Sequence, residues 1–417
     1  MNLSSTPSAN RIHIGIFGKR NAGKSSIINA ITGQNLAIVS HHKGTTTDPV
    51  QKAMELLPIG PVVVIDTPGL DDDGELGTLR LEKAHQVLRK SDVALLIIDA
   101  TAGVADYDLD ILKKILERKI PFVIAINKID LLFMNNISQS IDQLVGDTVA
   151  EMIKLVRAGA NEDSIIHVSA RTSQGINALK ELLATKSKSL TESKPLAKDL
   201  IKKGDFVILV TPIDESAPKG RLILPQQQVI REIIDCGATA IVVQDTELQD
   251  TLDGLKEMPA LVITDSQVLK EVDAIVPAEI PLTSFSILFA RFKGNLEQLV
   301  NGTAALDSLE DDHHILISEG CTHHRQCNDI GSVKLPNWIS EYSKKKLHFH
   351  YTSGAEFPDD LTKYKMVIHC GGCVLNEKEM MHRLGVAQNN SIPMTNYGTA
   401  IAHINGILER TLIFNNS

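Results

Sequence analysis

"GKRNAGKS", Gly18 to Ser25, follows the apolar run "IHIGIF" and leads directly into "SIINAITG". This is the pattern G-x-x-x-x-G-K-S, set between a strand and a helix. The chemistry needs that setting. Backbone N–H groups of a glycine-rich turn point at phosphate oxygens, and the N-terminus of the following helix adds partial positive charge. Lys24 would reach the β- and γ-phosphates, and the Ser25 hydroxyl would ligate Mg²⁺. Gly18, Asn21, Ala22, Gly23, Lys24, Ser25 and Ser26 are therefore the candidate phosphate-binding residues. A loop of this kind joins a parallel strand to its crossover helix, so the stretch predicts an α/β fold.

Reading outward, further strands appear at Val62–Gly69, Val93–Ala100, Pro121–Lys128 and Ser164–Ala170, separated by helical patterns. Chemistry-bearing residues sit at their ends. "DTPG" offers Asp66 to bridge to Mg²⁺ through water and Gly69 to sense the γ-phosphate. "NKID" supplies Asn127, Lys128 and Asp130; the Asp130 carboxylate suits the guanine N1 and N2 donors, a pair adenine lacks. "SAR", Ser169 to Arg171, contributes Ser169 and Ala170 as a loop against guanine O6. "KGTTTD" offers Thr45 and Thr46 as switch hydroxyls for Mg²⁺. Thr clusters are ordinarily loops and "DTPG" is a fair turn, but five such pieces in order describe a GTP-binding domain.

The bulk properties bound what else the chain does. Its 417 residues exceed one ordinary core, so two or three domains are expected. The content is 43% hydrophobic and 22% charged, as in soluble globular proteins. A net charge of −9 and only 4% aromatic residues argue against a broad nucleic-acid surface. No apolar run reaches the ~20 residues that span a bilayer, and "MNLSSTPSANR" has no hydrophobic segment of the secretory kind. Five cysteines, an odd number, favour reduced thiols or metal ligands over disulfides. A cytoplasmic protein is the expectation.

Around 182–200 the chain fills with Ser, Thr and Lys, which reads as a linker. A second αβ rhythm follows to about Asp273, without a phosphate loop or clustered charges; its Cys236 precedes the helix-ending Gly237 and reads as a structural thiol. The third part begins near Leu282 with one long helical pattern. It then carries "CTHH" (Cys321, His323, His324) after the strand "HILISEG", and "HCGGC" (Cys370, Cys373) after "YKMVIHC". Ligands gather at the carboxyl ends of parallel strands, so the two sets can converge on one edge. Zinc held by Cys321, His323, Cys370 and Cys373 satisfies a tetrahedral site. An iron–sulfur cluster with three cysteines and an exchangeable fourth position is the second reading; unrelated buried thiols are the third. Spacing alone leaves zinc and iron open. His313, His314, His348, His350 and His369 read as solvated or core imidazoles.

The GTP-binding motifs resemble the TrmE–Era–EngA branch of GTPases. In that branch an Asn at the position of Asn21 helps hold K⁺. Leu70 follows "DTPG" where Ras-like proteins carry a water-positioning Gln, so hydrolysis is expected to be slow and potassium-stimulated. The whole arrangement, with C-x-H-x46-C-x-x-C at its end, resembles the HydF family of [FeFe]-hydrogenase maturation GTPases. That resemblance implies three α/β domains: GTP-binding (1–185), dimerisation (196–281) and iron–sulfur-cluster-binding (282–417). It also implies a 4Fe–4S cluster on Cys321, Cys370 and Cys373, with His323 as a possible fourth ligand and Cys327 outside the pattern. The family scaffolds the two-iron precursor of the H-cluster and delivers it to apo-[FeFe]-hydrogenase. Its partners are a second copy of itself, two radical-SAM maturases and the hydrogenase. The competing reading is a zinc-binding regulatory GTPase of ribosome or RNA maturation.

Overall fold

The computed structural model describes residues 7–33, 49–67, 75–134, 162–188, 194–213, 222–321, 329–354 and 356–414. They fall into two compact units, Met1–Glu192 and Ser193–Ser417. The first is built on a six-stranded sheet in the order β2-β3-β1-β4-β5-β6. Its strands are β1 (Ile12–Phe17), β2 (Val50–Leu56), β3 (Gly60–Asp66), β4 (Val93–Asp99), β5 (Phe122–Asn127) and β6 (Ile165–His167). All neighbours pair in parallel except β2, which runs antiparallel to β3. Alternation along β4 explains why it is apolar throughout. Leu95 and Ile97 face a core with Ile14, Ile27 and Leu179, whereas Leu96 and Ile98 face one with Phe17, Ile111 and Ile115. β2 alternates partly buried and exposed residues and is absent from the sequence reading, because a half-exposed edge strand carries no apolar run.

The second unit contains two four-stranded parallel sheets. One has β7 (Phe206–Val210), β8 (Thr239–Val243), β9 (Leu261–Thr264) and β10 (Leu282–Ser284), in the order β10-β9-β7-β8. The other has β11 (His314–Glu319), β12 (His348–Ser353), β13 (Met366–His369) and β14 (Met394–Asn396), in the order β12-β11-β13-β14. Both follow one scheme, in which the chain starts on an inner strand, steps to one edge, then returns to fill the other side. Both also end on related sequence, "IPLTSF" (Ile280–Phe285) and "IPMTNY" (Ile392–Tyr397). In each the strand's last residue caps the next helix: Ser284 Oγ accepts from Ile287 N–H, and the Asn396 side chain from Thr399 N–H. The two junctions meet, with Asn396 Nδ2 donating to the Ser286 carbonyl at 2.9 Å.

Some boundaries differ from those expected. β10 begins at Leu282, where the third segment was expected to start, yet it pairs with β9. The helix that follows, Phe285–Lys293, packs Phe285, Leu288 and Phe289 into the core of the β7–β10 sheet. The long helical pattern after Leu282 breaks at Gly294 into Phe285–Lys293, Leu296–Asn301 and a 3₁₀ turn, Gly302–Ser308. The helix Ile176–Lys188 runs past residue 185.

Candidate functional site

Two sites emerge, one in each unit. In the first, Gly18 to Gly23 turns between β1 and the helix Lys24–Thr32. Gly23 has φ +93, and a Cβ there would collide with Asn127 Nδ2. That amide explains the constraint: Asn127 Nδ2 donates to the Ala22 carbonyl at 3.0 Å, and its Oδ1 accepts from Ala170 N–H at 3.1 Å. One buried side chain thus joins the phosphate loop, "NKID" and "SAR". Lys24 Nζ donates to the carbonyls of Gly18 (2.7 Å) and Lys19 (2.8 Å), folded over the loop. Asn21 is exposed with φ +62, and Ser25 and Ser26 open the helix.

The base end is equally ordered. Asp130 accepts from Ser169 Oγ at 2.7 Å and pairs with Arg171 Nε at 2.9 Å. Arg171 and Ser169 thus occupy one carboxylate oxygen each. Lys128, at φ +68, pairs with Asp99 at 2.6 Å. Burial pushes the Asp99 carboxyl up, but hydrogen bonds from Lys128 and Thr101 hold it below its ordinary range. At the end of β3, burial lifts Asp66 to about 6 against the nearby charge of Lys24. Among the described residues its buried Oδ1 has no hydrogen-bond partner, which fits a residue that reaches a hydrated Mg²⁺.

In the second unit, β11 and β13 lie side by side, with Ser318 opposite His369. Their carboxyl ends form the point where strand order reverses, the usual crevice for ligands in an open parallel sheet. Cys321 follows β11 by two residues, and Cys370 follows β13 immediately. The Cys370 Sγ accepts N–H from Gly320 at 3.1 Å and from Gly372 at 3.4 Å. Burial and Cys373 push the Cys370 thiol up to about 11, and burial raises Cys373 also. A metal centre that takes them as thiolates displaces their protons.

Two cations line this end. The Arg383 guanidinium is fully buried; it pairs with Glu379 and donates to His369 Nε2 at 3.0 Å. That leaves His369 Nδ1–H to donate to the Cys370 carbonyl at 2.8 Å. Burial, then the charge of Arg383, pushes His369 down to about 3, so it stays neutral. Lys293 is 2% exposed, and burial lowers its ammonium to about 8 while Cys373 and Cys370 act the other way. N–H donors on sulfur and buried positive charge fit a thiolate-bound anionic centre.

Thr45, Thr46, Gly69, Leu70, His323, His324 and Cys327, singled out in the sequence, lie outside the described residues. Cys236 is partly buried at its helix end. Sequence reading missed Lys293 and Arg383, which carry no signal beyond that of ordinary helical cations. It also missed that His314, His348 and His350 share one side of the β11–β12 pair, where His314 Nδ1 lies 2.8 Å from His350 Nε2.

Residues 13–128 match the family model "50S ribosome-binding GTPase". Residues 196–294 match the hydrogen maturase F dimerization domain, and 297–414 its tetramerization domain. Those two segments make up more than half of the chain. The chain belongs to the hydrogen maturase F family. Its GTPase domain is similar to tRNA modification GTPase MnmE of Desulforamulus reducens, at 32% identity over 169 residues, 40% of this chain and 33% of that one. It is also similar to GTPase Der of Lachnospira eligens, at 35% over 178 residues, 42% of this chain and 38% of that one. The chain thus spans about a third of the length of these curated relatives. Among solved structures, a point variant of Era from Aquifex aeolicus bound to GDP·AlF₄⁻ aligns at 21% identity, covering 56% of this chain and 91% of that one, with a TM-score of 0.36. A hydrogen maturase F chain therefore joins a GTPase domain to the family's dimerization and tetramerization domains, which supports homo-oligomerisation. Among the described residues no helix is long and apolar enough to cross a membrane.

Proposed function

We propose that this member of the family is a GTP-hydrolysing scaffold that carries a 4Fe–4S cluster on Cys321, Cys370 and Cys373. It would hold the two-iron precursor of the H-cluster and deliver it to apo-[FeFe]-hydrogenase in the cytoplasm. The observation that carries this reading is the meeting of β11 and β13, which brings the "CTHH" and "HCGGC" strands together inside a hydrogen maturase F segment. The cluster, when bound, supplies an iron to which cargo can attach. The chain's part is to hold the thiolates, satisfy Cys370 Sγ with backbone donors and offset negative charge with Lys293 and Arg383. His323 is the possible fourth ligand, and an exchangeable fourth position suits a carrier that must release its cargo. The division into GTP-binding, dimerisation and cluster-binding parts belongs to the same reading, as do a homodimer or larger assembly and the two radical-SAM maturases as partners.

In the GTPase domain, nucleotide phosphates would replace the Gly18 and Lys19 carbonyls as acceptors for Lys24. Ser25, Thr46 and Asp66 would serve Mg²⁺, Gly69 the γ-phosphate, and Asp130 the guanine edge. Asn21 would help hold K⁺, which offsets charge developing on the phosphates as an arginine finger does. GTP acts here as a timer on partner contacts. Steady-state hydrolysis in KCl should exceed that in NaCl, and Asn21→Ala should abolish the difference; equal rates in both salts for the wild type refute the K⁺ role. For delivery, protein loaded with the two-iron precursor should activate apo-hydrogenase, measured as hydrogen evolution. Failure of loaded wild-type protein to do so would overturn the carrier function.

A further inference from the structure

Lys293 ends the helix Phe285–Lys293 and is 2% exposed. Its Nζ donates to the carbonyls of Cys373 and Leu375, both at 2.7 Å, and reaches that of Gly372 at 3.4 Å. Three carbonyls of the turn that contains the second cysteine of C-x-x-C therefore converge on one ammonium. The Gly372 carbonyl also accepts from Leu375 N–H at 3.0 Å, so the ammonium caps a turn already closed on itself. The helix behind it is held in turn: Arg291 donates to the carbonyls of Pro195 and Leu196 and pairs with Asp199.

A buried ammonium ordinarily needs a carboxylate to offset its desolvation. Among the described residues Lys293 forms no ion pair; beyond the carbonyls, its neighbour is the Phe289 ring, 5.4 Å from Nζ to the centroid. Carbonyl dipoles solvate the ammonium but leave its full charge unbalanced in the interior. The anion that balances it belongs on the sulfur side of the turn. We propose that Lys293 is a positioning residue for the metal centre, pinning the Gly372–Leu375 turn so that Cys373 is presented together with Cys370 and balancing the negative charge of their thiolates. This rests on the reading of a cluster at these cysteines.

The test uses the full chain with Lys293→Met, which keeps the length of the side chain and removes its charge, and Lys293→Arg, which keeps the charge and changes the donor geometry. Hydrogen exchange before iron loading reads the pin. In Lys293→Met the Leu375 amide should exchange about tenfold faster while β11 and β13 keep wild-type protection. After anaerobic loading with iron and sulfide, the midpoint potential reads the charge: it should move to more negative values in Lys293→Met and stay near wild type in Lys293→Arg. Unchanged exchange at Leu375, or an unchanged midpoint in Lys293→Met, overturns the proposal. Should Lys293→Met fail to fold, Lys293→Arg decides, with faster Leu375 exchange and a wild-type midpoint expected and wild-type exchange contradicting. Wild-type protein that takes up zinc and no iron would sink the cluster reading instead, and the exchange arm would still decide whether Lys293 pins the turn.

Discussion

Asp99 shows how much a single residue outside the nucleotide motifs contributes. It ends β4, pairs with Lys128 at 2.6 Å and so fixes the lysine of "NKID", whose φ of +68 is unusual for a side chain of that size. Its carboxyl lies below the ordinary value of 3.8 in the fold. The stability it contributes is present above that value and is lost as pH falls through the lower folded value. Asp99→Asn should therefore cost about 1 kcal/mol near neutrality, and the gap from wild type should narrow progressively in urea titrations as pH falls below 3.8. The Asp99–Lys128 pair was not legible, because nothing in "VALLIIDA" reveals that a lysine 29 positions away will lie beside Asp99. Asp130 and Asn127 were singled out in sequence because "NKID" marks them locally. The reach of Asn127 to the Ala22 carbonyl was not.

At the scale of elements, the phosphate loop depends on Gly23 for space as well as for backbone conformation. Gly23→Ala would force a side chain into φ +93 and against Asn127 Nδ2, so it breaks the bond from Asn127 to the loop. Loss of that buried hydrogen bond together with the strain should weaken GTP at least tenfold, measured by isothermal titration, at a stability cost of about 2 kcal/mol. The strand–loop–helix order that frames this loop was readable from periodicity, because strands covered on both faces are continuous apolar runs. β14 and the helix Tyr397–Ile404 escaped the same reading. Three-residue strands give too little pattern, and only the "IPMTNY" match to "IPLTSF" marks the element, at a spacing too long to register as a short repeat. In the second unit the cysteines stood out in sequence as two sets, one after β11 and one after β13. The buried Lys293 and Arg383 near them did not, since each looks in sequence like an ordinary helical cation.

For the whole molecule, the matches to the family's dimerization and tetramerization domains support a working unit larger than the 45.5 kDa chain. Among the described residues β8 is the edge of its sheet, and Val242 on it is 42% exposed, an apolar surface of the kind a second copy covers. Light scattering of the full chain should give a multiple of the chain mass, and Val242→Glu should lower it without reducing GTP hydrolysis. A monomer in the wild type would contradict this. The account nevertheless stands or falls on the cysteines at the ends of β11 and β13. The most direct measurement is anaerobic reconstitution with iron and sulfide, followed by metal analysis of wild type and Cys370→Ser. The account predicts a brown protein with about four iron and four sulfide per chain, and a colourless, iron-poor Cys370→Ser. Colourless wild-type protein holding stoichiometric zinc would contradict it.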